Sequence, residues 1–482
     1  MRETRSPQPP RGLVFACVAA SLPMFMAALD NLVMTFALPV IKEDLGASVE
    51  QLQWFVNAYS IAFATLILPL AALGDRLGRR TIFFAGVVVF TAASALAATA
   101  TTAELLIIAR AVQGIGAAAI VPLSLTIVSA AASARVRPIA IGVWGGVNGL
   151  GIAVGPIIGG AVVEGFAWPG IFWLNVPIGI LTLALIPFAV PASWGRRLPF
   201  DTTGSLLAVA FVLPLIWAIV EGEDRGWASG LIVGALTLSA VALTAFLVHE
   251  RRSAAAFLPL NFFRERPFTL ANLAGLLFSA GVFGAIFLLS QYLQVGMGYG
   301  ALEAGLRAAP WTFAPMIAAP LSGFVVRRIG TGPVIVTALA LQTIAIAWIA
   351  LASSATTEYR DVVVPMLLAG IGMGLTLAPL ANAVLIGRTE EEHGIAASVN
   401  STLRQLGIAI GIALVTALFL RHGDYLPGQP FIDGMKPALI ACVAITGCAT
   451  IAALGLLRLP STPSTVSPIQ PPTPVVTTPS ED

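Results

Sequence analysis

"AALGDRLGRR", residues 71–80, closes an uncharged run of about twenty residues and then sets one acid and three arginines within six positions. The chain around it is 57% hydrophobic and 10% charged over 482 residues, with a mean hydropathy of +0.90, far from the usage of soluble domains. Such a stretch reads as a turn between two membrane crossings. Working outward from it, fourteen apolar runs recur, each long enough for a hydrocarbon core of roughly 30 Å. They lie near 13–40, 52–73, 81–100, 104–130, 138–163, 170–190, 203–220, 230–248, 267–292, 303–325, 333–352, 361–386, 394–420 and 437–457. The expectation is an all-α integral membrane protein of fourteen spans.

The tails differ in kind. Residues 1–10 and 459–482 are rich in Pro, Ser and Thr, cannot bury a core, and are expected to be disordered and cytoplasmic. The first span is too long for a removable signal peptide, so it is expected to be retained.

Basic residues set the orientation. Eighteen Arg and Lys flank the ends or fall in even-numbered loops, five fall in the other loops, and three (Arg110, Arg307, Arg404) sit inside apolar segments. The positive-inside rule then places both termini in the cytoplasm. The basic residues are thus topology anchors and give no sign of nucleic-acid binding. Cys17, Cys442 and Cys448 lie in spans without metal spacing and read as small packing residues. The three histidines, 249, 393 and 422, are expected in loops.

An internal repeat organises the chain. "LGIAVG" at 150–155 returns as "LGIAIG" at 406–411, "GIG" at 114–116 returns at 370–372, and "DRLG" at 75–78 becomes "RRIG" at 327–330. Two six-span bundles, 11–195 and 253–458, follow, with two linker spans in 196–252. Paired six-helix repeats with a site between them are the layout of secondary transporters.

These residues carry a resemblance. "LGDRLGRR" at 73–80, "RAVQGIG" at 110–116, "GIAVGPIIGG" at 151–160, "LDNLVMTFALP" at 29–39 and "NSTLRQLG" at 400–407 resemble, in order, five motifs of the major facilitator superfamily and its 14-helix drug:proton antiporters. Ala71 departs from the pattern, standing where the first motif has its leading Gly. The resemblance implies the major facilitator fold and covers nearly the whole chain. It also implies that Asp75, Arg76, Gly78, Arg79 and Arg80 form a latch that closes in one access state, with Glu390, Glu391 and Glu392 as partners for Arg79 or Arg80. The arginines alone would equally serve as topology anchors, but topology needs neither an acid nor a tight turn at Gly78.

In the fifth span Gly151, Gly155 and Gly159 are spaced four apart and share a face that lets another helix approach closely, with Gly160 beside them. Pro156 removes a backbone hydrogen bond and permits a bend. A close-packed hinge and static packing are both consistent with this antiporter motif.

Charges within spans are the most informative feature, because burial of one is costly. Asp30 is the one acid deep in a span, about 10 residues or roughly 15 Å from the outer end. Arg110 lies at roughly 9 Å on the fourth span, within bridging reach if the helices are adjacent, as the resemblance implies. Asp30 and Arg110 are therefore the candidate proton-coupling pair: burial favours the neutral acid, the arginine favours the carboxylate, and a permanent structural ion pair is the alternative. Arg404 has no acid at its depth. It is either satisfied by carbonyls or faces the cavity, and its repeat position is Asn148, while that of Arg110 is Met366. Glu303 and Arg307 read as ordinary helix-end chemistry.

Asp30, Asn57, Asn148, Asn272, Phe283, Phe287 and Arg404 are the expected cavity lining, with Trp54 and Tyr59 clustered beside Asn57 and Ser279 on the face of Asn272. Lipid-facing aromatics are the alternative. A mostly apolar cavity suits amphipathic cargo. The expected function is proton-coupled efflux of hydrophobic or cationic drugs by a monomer in a bacterial cytoplasmic membrane, driven by the proton gradient without a cofactor. The alternatives are an exporter of one endogenous metabolite, siderophore or lipid, and a receptor that does not transport. No Walker loop, nucleophile elbow or metal cluster points to an enzyme.

Overall fold

The computed structural model describes residues 11–132, 137–192, 201–253, 260–388 and 390–457, and both expected disordered tails lie outside them. Their regular structure is helical, with no strand among the described residues. The first half consists of α1 (Arg11–Leu45), α2 (Val49–Leu77), α3 (Arg79–Ala98), α4 (Ala103–Ala131), α5 (Arg137–Phe166), α6 (Pro169–Trp173) and α7 (Asn175–Ala189). Next come α8 (Thr202–Arg225) and α9 (Gly230–Arg252). The second half consists of α10 (Arg266–Gln291), α11 (Ala301–Ile329), α12 (Thr331–Ala352), α13 (Tyr359–Leu385), α14 (Glu390–His422) and α15 (Gln429–Leu454). A π turn, Tyr292–Gly296, ends α10.

Thirteen of the described segments are long and apolar enough to cross a membrane, with α6 and α7 counted as one. Alongside them runs α2, whose 29 residues span about 43 Å at 1.5 Å per residue. In lipid these segments have no water to bond, so each closes its backbone hydrogen bonds internally. Their ends carry matching signals. Ser48 caps α2 in a capping box with Gln51, Thr102 caps α4, and Asp201 caps α8. The sixth span, Pro169–Ala189, stays helical through Leu174 (φ −58°, ψ −34°), where only the hydrogen-bond ladder is interrupted, because Pro177 cannot donate to the carbonyl four residues back. One correction follows. The histidines fall in terminal turns of α9 and α14 rather than in loops.

Glycines reveal the repeat in three dimensions. A methyl group at Gly116 would lie 2.8 Å from the Gly86 carbonyl and 2.7 Å from the Phe90 nitrogen, and one at Gly372 would lie 2.9 Å from the Ala338 carbonyl and 3.3 Å from the Gln342 nitrogen. Gly114 abuts the Tyr59 carbonyl as Gly370 abuts that of Trp311. Gly151 and Gly155 press on α1 at Phe25 and Leu32, and Gly407 and Gly411 press on α10 at Leu276 and Ala280. Gly78 (φ 110°) and Gly330 (φ 89°) each turn one helix straight into the next, a backbone that L side chains rarely adopt.

The halves close on each other at one end. Gly160 abuts Ala301, the Pro156 carbonyl abuts Gly305, and Thr312 Oγ1 donates to the Ala153 carbonyl at 3.3 Å, all between α5 and α11. Towards the arginine-rich end the same face of α5 continues as Gly145, Gly146 and Gly149, with nothing within 4 Å, as is also true of Gly323 on α11. These two helices are parted there, so the molecule is open towards the arginine-rich end.

Candidate functional site

The first half encloses a polar cluster in an otherwise apolar interior. Asp30 on α1, Ser94 on α3, Arg110 and Gln113 on α4, and Asn175 on α7 are all buried, Asp30 to 4% exposure and the others to 0%. Local sequence explains how they meet. Arg110 and Gln113 are three apart and share one helix face. Asn175, at the start of α7, lies at a depth where its side-chain amide reaches Asp30. Gly114 has no side chain to hold α2 away, so the Phe55 carbonyl accepts from Arg110 Nε at 2.9 Å and the Tyr59 ring lies 4.6 Å from the guanidinium carbon.

Every hydrogen bond to Asp30 is a donation. Arg110 Nη1 bonds Asp30 Oδ2 and also donates to Gln113 Oε1 at 2.9 Å. Asp30 Oδ1 accepts from Asn175 Nδ2 at 2.7 Å and from Gln113 Nε2 at 3.3 Å. Ser94 Oγ accepts from Gln113 Nε2 at 2.7 Å and from Asn175 Nδ2 at 3.4 Å. This shell satisfies a carboxylate: Oδ1 accepts two hydrogen bonds and Oδ2 one. A buried ion pair is weak evidence for stability but is costly to break from one side only, by about 3–5 kcal/mol.

The second half carries nothing similar at the matching places. The glycine contacts superpose Asp30 on Gly281, Tyr59 on Trp311, Ser94 on Ile346, Arg110 on Met366, Gln113 on Ala369 and Asn175 on Val443. At these places one repeat carries charge and the other is apolar.

Comparison with known proteins places the chain in a family. The Major Facilitator Superfamily model matches residues 20–412. The chain belongs to the Major Facilitator Superfamily. It is 32% identical over 449 residues to the multidrug efflux pump LfrA of Mycolicibacterium smegmatis, covering 92% of this chain and 88% of that one. It is 29% identical over 415 residues to the tetracenomycin C resistance and export protein of Streptomyces glaucescens, covering 86% and 77%. The solved structure of the nucleoside transporter NupG aligns with 92% of this chain and 100% of that one at a TM-score of 0.64 and 11% identity, a likeness of fold alone. The chain is a multi-pass membrane protein of this superfamily.

The superfamily chain distributes the other expected residues unevenly. Asp30 and Arg110 come together as expected, but Asp30 is enclosed rather than lining an open cavity. Asn57 is fully buried, and the Trp54–Asn57–Tyr59 cluster divides: Tyr59 faces Arg110, while Trp54 packs with Ile61, Ile216 and Ala409 on the opposite side of α2. Phe287 is core, and Phe283 packs half-buried against that core. Asn272 accepts from Asn400 Nδ2 at 3.2 Å, and Arg404 lies beside them over Gly275 with its Nε unpartnered. Asn148 is half-buried on the parted stretch of α5.

In the expected latch, Arg76 is exposed and Arg80 Nη1 donates to the Val190 carbonyl of its own half at 3.4 Å. The side chains of Asp75, Glu390 and Glu391 lie outside the described residues. Glu303 and Arg307 do more than cap a helix. Arg307 bonds Glu303 at 2.6 Å, stacks on Tyr299 and Tyr359, and lines a cavity of about 450 Å³ at the closed end, remote from Asp30.

Ser94, Gln113 and Asn175 escaped the sequence reading. Gln113 stands one turn after Arg110 inside "RAVQGIG", and Asn175 is a lone amide before a proline, so both carried a signal. Ser94 carried none among many small residues.

Proposed function

We propose that the chain exports hydrophobic or cationic drugs and related amphipathic molecules in exchange for protons. It works by alternating access, as a monomer in a bacterial cytoplasmic membrane, with both termini cytoplasmic and no cofactor. The named relatives support drug efflux, and the bias of arginines to one end supports the orientation. The observation that carries the coupling is Asp30: a buried acid whose two oxygens are held by donors from two other helices, in one repeat only.

In the state open towards the arginine-rich end, Arg110, Gln113 and Asn175 stabilise the carboxylate. When the other end opens, a shift of α4 or α7 withdraws a donor and Asp30 takes a proton from that side. Return of the donor expels the proton to the cytoplasm, which couples proton entry to the swing of the halves. Cargo passes through the space between the halves, bounded on one side by the parted stretch of α5.

Asp30→Asn keeps size and removes titration. In proteoliposomes that variant is expected to bind substrate and to lose substrate-driven proton movement, and wild-type proton movement in it would sink the assignment. A narrower reading, export of one metabolite of the host, is supported by the relative named for tetracenomycin C. A compound panel in an efflux-deficient host separates the two.

A further inference from the structure

Besides the hydrogen bond from Thr312 to the Ala153 carbonyl, three further hydrogen bonds tie the halves together at the closed end. Ser290 Oγ donates to the Thr35 carbonyl at 3.2 Å, Gln294 Nε2 donates to the Phe36 carbonyl at 2.9 Å, and Glu164 Oε1 of α5 accepts from the Leu302 backbone N–H of α11 at 2.8 Å. The first two join neutral groups. The third sets a carboxylate on the first turn of a helix in the other half, where unsatisfied N–H groups and the positive end of the helix dipole favour an anion.

The surroundings are arranged for this contact. Helix α11 begins at Gly300, which makes no side-chain cap, so the cap comes from the other half. Pro156, Gly160 and Glu164 follow one another at four-residue spacing on one face of α5, and close approach at Gly160 and Gly305 brings the carboxylate into range. The receiving turn is fixed to the second half, because Tyr359 Oη of α13 donates to the Arg307 carbonyl at 3.0 Å while Arg307 holds Glu303. Glu164 therefore moves with one half and the Leu302 N–H with the other.

We infer that Glu164 is a gate residue: by capping α11 from across the interface it holds the far end shut in this state, and it lets go when that end opens. The inference rests on the alternating access proposed above, but a distance measurement tests it without transport. Phe166 and Leu306 are exposed near the closed end, at 81% and 51%. Spin labels at cysteines placed there, with Cys17, Cys442 and Cys448 replaced, report the separation of α5 and α11 in the full chain. Glu164→Ala is expected to raise the long-distance, open population about tenfold, as befits loss of a hydrogen bond to a charged group. Glu164→Gln keeps the acceptor and should fall between.

A second variant acts from the opposite side. Gly300 has φ −60° and ψ 163°, compatible with any residue, and a Cβ there would lie 2.7 Å from Glu164 Oε1. Gly300→Ser displaces the carboxylate and caps α11 from within its own half. It should open the gate as Glu164→Ala does, and the double variant should open it no further. Unchanged distances in Glu164→Ala, or in Gly300→Ser if the first variant fails to fold, overturn the inference. A widened gate together with intact proton coupling in Asp30→Asn would keep the gate and discard only the proton assignment.

Discussion

The two six-helix halves share their glycine contacts and differ in what those contacts enclose. Gly114 and Gly370 admit the carbonyls of Tyr59 and Trp311, yet behind the first lies Arg110 on Asp30 and behind the second lie Met366 and Gly281. Packing was duplicated and charge was not. The difference teaches that the repeat is a mechanical frame, while the titratable group needs only one half. On the mechanism proposed above, a single buried carboxylate with withdrawable donors couples proton entry to the swing, and a second would add its own desolvation cost.

The strongest test makes the halves alike. Arg110→Met copies the second-half residue and strands Asp30 as an unpaired buried acid, which should cost about 3–5 kcal/mol and abolish proton-coupled export. Adding Asp30→Gly, the other second-half residue, removes the stranded charge. The double variant should then melt at a higher temperature than Arg110→Met while remaining inactive. A double variant that melts no higher would mean that Asp30 and Arg110 are not energetically coupled.

A second test separates frame from chemistry. Gly114→Ala and Gly370→Ala each drive a methyl group into a backbone carbonyl, so each should lower stability by about 1–3 kcal/mol through overpacking. Only the first also pushes Phe55 and Tyr59 away from Arg110. At equal loss of melting temperature, export should fall further in Gly114→Ala. Equal losses of export would show that the Arg110 shell tolerates displacement of α2.

These contrasts also mark how far the sequence was legible. The repeat could be read because glycine at a helix crossing is irreplaceable, and Gly116, Gly155 and Gly411 therefore sit in recognisable strings. Asp30 and Arg110 could be read because charge inside an apolar run is conspicuous. Asn175 could not be assigned a partner, since a lone amide in an apolar span gives no sign of which neighbouring helix it faces. Glu164 looked like an ordinary residue near the end of a span, because its partner is a backbone N–H of the other half. Arg80 donates to the Val190 carbonyl at the end of α7, a contact no charge pattern announces because its acceptor is a backbone carbonyl.

The finest test concerns Asn175, the member of the cluster that α7 contributes. Its matching residue is Val443, so Asn175→Val copies the apolar half at this position. The substitution removes the 2.7 Å donation to Asp30 Oδ1 and leaves the weaker 3.3 Å donation from Gln113 on that oxygen. A hydrogen bond to a charged group contributes about 1.5–3 kcal/mol, so coupled export should fall roughly tenfold or somewhat more while Arg110 keeps the carboxylate in place. Asn175→Ser, shorter but able to donate, should restore part of the loss. Because a purely structural role for Asn175 would lower protein yield and melting temperature alike in both variants, the measurement that decides is proton movement per substrate exported. If that ratio is unchanged in Asn175→Val, the amide is packing, and the asymmetry between the halves reduces to Asp30, Arg110 and Gln113.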